Sequence, residues 1–118
     1  MSVLSSHILN AVNGKSASGV RVQLFRLISE SEKEIVFDIV SDEQGRLAET
    51  VEILDSDSAQ PFEMIVHAHQ YFVDSRQISD VTQHMEQVVI RFTMMEREPR
   101  YHIPVVLSPH SYTVWWSE

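Results

Sequence analysis

Apolar and polar residues alternate with a period of two along most of this chain, the mark of strands with one buried face. In "GVRVQLFRL", Val20, Val22 and Leu24 point one way and Arg21 and Gln23 the other. In "KEIVFDIV", Ile35, Phe37 and Ile39 alternate with Glu34, Val36 and Asp38. Phe62, Met64 and Val66 share a side of "FEMIVHA", and Val88, Ile90, Phe92 and Met94 share a side of "QVVIRFTMM". Tyr101, Ile103, Val105 and Leu107 do the same in "YHIPVVL", with His102, Pro104 and Val106 opposite. "LSSHIL", "AETVEIL" and "YTVWWS" are shorter candidates. Turn residues separate the runs: Asn13-Gly14 and Gly19, then Asp42 and Gly45, then "DSDSAQP" and "EREPR". Only "HQYFVDSRQIS" lacks alternation, and it predicts one short helix. Seven or eight short strands at this spacing predict an all-β antiparallel sandwich, with residues 1–118 as a single domain.

Pro104 stands inside one of these strands. Proline cannot donate to a ladder, so its strand is expected to have a free edge, a bulge, or another subunit beside it. His102 shares a face with Pro104, and that face is not evidently the core face.

Composition narrows the function classes. The net charge of −8 argues against a nucleic-acid or anionic-membrane surface, which needs a basic face. With no cysteine, a disulfide scaffold and a thiolate metal site are both excluded. No charged-then-apolar leader is found, nor an apolar run near the roughly 20 residues of a spanning helix, which predicts a cytoplasmic protein.

Six histidines supply the candidate chemistry. His67 and His69, two apart, would project to one side of a strand, where they could begin a zinc site or be plain surface residues. His84 and His110 fall in expected loops and read as surface residues. His7 lies in an apolar strand-like run, Arg46 follows a turn glycine, and His102 sits on the proline-containing strand. Each alone reads as structural. No short motif joins positions so far apart, and there is no phosphate loop, nucleophile elbow, HExxH helix or EF-hand pattern.

Together they form a larger pattern. "LSSHILNAVNGKSASGVRVQLFRL", "DEQGR" and "YHIPVVLSPHSY" resemble, in order and rough spacing, segments of the transthyretin-like proteins, whose enzymatic branch is 5-hydroxyisourate hydrolase. The resemblance implies two four-stranded sheets, one short helix at "HQYFVDSR", and a homotetramer built as a dimer of dimers with active sites between subunits. It places the enzyme's catalytic set on His7, Arg46 and His102, a polar set that transthyretin itself lacks. It implies a small-molecule substrate, with no cofactor and no metal. The reaction would be hydrolysis of a cyclic amide in an oxidised purine, with one histidine as base toward water, the other as its orienting partner or acid, and Arg46 stabilising negative charge.

The pattern breaks at the tail. The enzymes typically end in Tyr-Arg-Gly-Ser, and after Tyr112, Thr113 and Val114 this chain reads Trp115, Trp116, Ser117, Glu118. Tyr112, Trp115, Trp116 and Ser117 are the expected substrate-binding positions, with the two indoles offering stacking surfaces or sealing an interface. A hydrolase with a shifted cyclic-amide substrate and a non-catalytic small-molecule carrier are the competing expectations.

Overall fold

The computed structural model describes residues 2–53, 58–76, 85–95 and 99–117. Two sheets face each other across an apolar core. The first is built on β1 (Ser2–Asn10). One side of β1 pairs with β5 (Arg46–Val51) and the two-residue β2 (Lys15–Ser16), both antiparallel. The other side pairs in parallel with β8 (Arg100–His102) and β9 (Val105–Leu107), and β10 (Tyr112–Val114) lies outside β9. The second sheet runs β4 (Lys33–Val40), β3 (Arg21–Leu27), β6 (Gln60–Val66), β7 (Val88–Met94). The helix α1 (Ala68–Asp74) follows β6, where alternation fails in the sequence. Among the described residues, no helix is long and apolar enough to cross a membrane.

β1 alternates strictly, even positions buried and odd positions half-buried. Leu4 and Ile8 enter the core, while the inward polar groups are satisfied: Ser6 Oγ donates to the Ile103 carbonyl at 2.6 Å and Asn10 Nδ2 to Tyr71 Oη at 3.0 Å. The outer face of β1 therefore carries Val3, Ser5, His7 and Leu9. β6, flanked by β3 and β7, is buried on both faces: Phe62, Met64 and Val66 enter the core, and Glu63 and Ile65 are covered on the opposite face.

Two expectations need correction. Ile35 does not share a buried side with Phe37, because the β3–β4 register shifts between Leu24 and Phe25. The bulge inserts Val36, which packs on the core, and leaves Ile35 52% exposed. Pro104 is not on a free edge. It separates β8 from β9, between β1 and the chain's own tail. The tail keeps one register throughout, from Tyr112↔Leu107 and Val114↔Val105 to the bridge Ser117↔His102. Trp115 therefore stands opposite Pro104, and its N–H donates to the Pro104 carbonyl at 3.4 Å. Only the reciprocal bond is lost, because proline has no N–H to return.

Candidate functional site

The register of β1 gathers the three candidate residues. His7 pairs with Arg46 across the antiparallel ladder, and Ser5 pairs with His102 across the parallel one. Ser5 and His7 are two residues apart, so both present their side chains on the outer face. Arg46 and His102, with Ser5, Asp42, Arg100 and Ser117, line a concave pocket of about 540 Å³ on that face.

Arg46 is placed by the turn between β4 and β5, which carries the chain from one sheet to the other. Asp42 Oδ1 accepts from the amides of Gln44 at 2.8 Å and Arg46 at 2.9 Å. Those two amides, with the nearby Arg46 and His7 charges, hold the Asp42 carboxyl below its usual range despite some desolvation. Gly45 has a positive φ of 75° and packs against β1, accepting a 2.7 Å bond from the Ile8 amide. An added Cβ would lie 2.4 Å from the Ile8 carbonyl oxygen, so only glycine fits this turn. Among the described residues, no hydrogen bond or ion pair engages the Arg46 guanidinium.

His102 is half-buried, with Nδ1 2.7 Å from Ser5 Oγ. Ser5 Oγ also lies 3.4 Å from the Tyr101 carbonyl. With that hydroxyl donating to the carbonyl, it accepts from Nδ1–H, and the neutral ring keeps its lone pair on Nε2. The ring's pKa is lowered, chiefly by burial and then by the charges of Arg46, His7 and Arg100, against a backbone hydrogen bond at Ser5 that raises it. Groups from β5, β1 and β8 thus act on one imidazole. His7 is turned toward the hairpin: its Nε2 lies 3.0 Å from the Gln44 carbonyl, to which it donates, and 3.3 Å from Ser16 Oγ.

The expected tail residues divide by face. Paired residues in an antiparallel ladder share a side. The register sets Ser117 with His102 and Trp115 with Pro104 on the outer face, and Trp116 with Ile103 on the inner face. Ser117 lines the pocket, and its N–H donates to the His102 carbonyl at 2.9 Å. Trp116 instead packs on Tyr101 at 5.2 Å and on Phe92 of the opposite sheet at 6.1 Å. Tyr112 stands opposite Leu107, five residues along from His102, and lines a separate small cavity with Ala68 and Val88. A single chain does not bring it to the trio. Ser5 and Arg100 escaped notice in the sequence, although Ser5 precedes His7 by two and Arg100 precedes His102 by two, the spacing that shares a strand face, and Asp42 stood out there only as a turn residue.

The other histidines stand apart. His67 is not on a strand with His69: it caps α1, within 2.7 Å of Gln23 Oε1 and 3.3 Å of Gln87 Nε2, and His69 lies in the helix. Burial, then the Arg21 charge, lowers the His67 pKa. His110 is in an exposed bend. His84 and Glu118 lie outside the described residues. Among the described residues, no group of three or more His, Cys, Asp or Glu is placed to hold a metal ion.

Residues 4–116 match the model of the HIUase/Transthyretin family. A 5-hydroxyisourate hydrolase of Deinococcus radiodurans is 30% identical over 112 residues, covering 95% of this chain and 92% of that one. One from Pseudomonas aeruginosa is 24% identical over 117 residues, covering 98% and 90%. The structure of Klebsiella pneumoniae 5-hydroxyisourate hydrolase superposes over the full length of both chains with a TM-score of 0.76 at 25% identity. A crystal structure of (S)-allantoin synthase shares the fold over 99% of this chain and 44% of its own, with a TM-score of 0.82 at 22% identity.

Proposed function

Because this chain belongs to the HIUase/Transthyretin family, we propose that it hydrolyses 5-hydroxyisourate, opening a cyclic amide of an oxidised purine. The observation that carries this reading is the β1 register, which lays Arg46, opposite His7, and His102, opposite Ser5, on either side of β1 in one solvent-open pocket.

Hydrolysis needs a base toward water and a positive group toward the oxygen that becomes negative as the carbonyl is attacked. His102 is the base. Its depressed pKa keeps the ring neutral at pH 7, and Ser5 directs the lone pair to Nε2. A base held this way contributes roughly 10² to 10⁴-fold. Arg46, charged at every relevant pH, faces the developing oxyanion with its planar fork. His7 is the orienting partner, since its ring ties the β4–β5 turn to β1 through the Gln44 carbonyl and so fixes the backbone that carries Arg46. The Ser117 hydroxyl, beside His102, is a substrate contact, and Trp115 borders the same face.

The same reading makes the protein a cytoplasmic homotetramer, a dimer of dimers. Its support is that the pocket opens on the outer face of a sheet, where a second copy can close it.

Mixing the purified protein with freshly generated 5-hydroxyisourate and following the ultraviolet decay tests the activity. Acceleration over buffer is expected, and an unchanged decay at micromolar protein would overturn the reading.

A further inference from the structure

The pocket contains a second guanidinium that the chemistry above leaves unused. Arg100 opens β8, pairs with Val3 of β1, and shares the outer face with His102 two residues on. It lines the pocket together with Arg46. Their partners on β1, Val3 and His7, are four residues apart, about 13 Å along the strand, and they flank β1 from opposite sides, about 10 Å apart across the sheet. The two backbones are then roughly 16 Å apart, a gap that two extended arginine side chains and one small planar ring can fill. Among the described residues, neither guanidinium has a hydrogen bond or an ion pair. The acid that shares the pocket, Asp42, has Oδ1 committed to the amides of Gln44 and Arg46. Described residues of the tail add no cation here, because Trp116 turns inward and Ser117 is neutral.

Two guanidiniums against the single Asp42 carboxylate leave this hollow net positive in a chain with a net charge of −8, a local field of the opposite sign to the chain as a whole. Each presents a rigid fork of N–H donors that matches an imide or enolate edge in a way a point charge does not.

We propose that Arg100 is a substrate-binding, specificity-determining residue that forms a two-armed clamp with Arg46, selecting an anionic oxidised purine over a neutral one. This rests on the hydrolase reading for the identity of the substrate. Arg46 meets the carbonyl under attack, and Arg100 meets the far edge of the ring, whose charge changes little during the reaction. Arg100 therefore binds ground state and transition state alike, and its loss raises KM while sparing kcat.

Calorimetric titration at pH 7 with urate, an anion, and with hypoxanthine, a neutral purine, reads the clamp without turnover. Arg100→Gln is expected to weaken urate binding about tenfold and to leave hypoxanthine within about twofold, with Arg100→Lys recovering part of the loss. On 5-hydroxyisourate the same variant raises KM about tenfold with kcat within about twofold. Urate affinity and KM both within about twofold of the parent protein would overturn the clamp, as would equal losses for urate and hypoxanthine. A parent protein that leaves 5-hydroxyisourate untouched, yet binds urate in an Arg100-dependent way, would remove the hydrolase reading and leave the clamp standing as an anion site.

Discussion

Three positive or titratable groups bear on the His102 ring: Arg46 from β5, His7 from β1 and Arg100 from β8. Together with burial they disfavour the imidazolium. The active form of a base is the neutral ring, so activity is lost as pH falls through the pKa of the folded protein. That pKa lies below the ordinary value of about 6.5. The acid limb of the kcat/KM profile should therefore have its midpoint below about 6.5, and Arg46→Gln or Arg100→Gln should move the midpoint upward as one opposing charge is removed. Removing the ring itself with His102→Asn should lower kcat/KM by roughly 10² to 10⁴-fold while leaving the melting temperature nearly unchanged. Steady-state rates and a thermal melt check both. The types of these residues were readable in the sequence, but their meeting was not. Positions 7, 46 and 102 are joined by strand pairing alone, and no spacing along the chain encodes it. Ser5 and Arg100 were legible in principle, each two residues from a suspected histidine, but period two marks a face without saying what fills it.

Strand by strand, alternation located β1, β3, β6, β7 and the β8–β9 run, and its failure located α1. What it could not supply was local irregularity. The bulge opposite Leu24 and Phe25 reverses the phase of β4, so Ile35, in step with Phe37 in the sequence, ends on the other side. Turn chemistry was more dependable, since Gly45 is required by both its positive φ and its contact with β1. Gly45→Ala forces the turn away from the Ile8 carbonyl and disturbs both the Arg46 backbone and the carbonyl that holds His7. A loss of about 1–3 kcal/mol is expected. Differential scanning calorimetry should show it as a melting temperature lower by at least about 4 °C, with a fall in kcat/KM that exceeds any change in the folded fraction.

Across the whole molecule, Trp116 spans the rim of the sandwich, its ring against Tyr101 of one sheet and Phe92 of the other. At 49% exposure it still makes two aromatic contacts, each worth about 0.5–1.5 kcal/mol. Trp116→Ala should therefore destabilise by about 1–3 kcal/mol in urea unfolding. Trp115→Ala, on the face shared with the pocket, should leave the unfolding midpoint nearly unchanged and act on KM instead. The proposed tetramer predicts a light-scattering mass about four times the 13.6 kDa of the chain, and a monomer peak would remove it. Assembly was not legible in the chain, because surfaces that meet another copy obey the same period as those that meet water. The bend around Ser108 and Ser111, closed by a 2.7 Å contact between their hydroxyls, leads into the ribbon whose register on β9 decides which tail residues face the pocket. An insertion there that slipped the ribbon by one position on β9 would exchange odd for even along it, setting Trp116 opposite His102 in the cation-lined hollow and turning Ser117 inward. The register set at a remote corner thus bears on pocket chemistry without a change to any residue in the site.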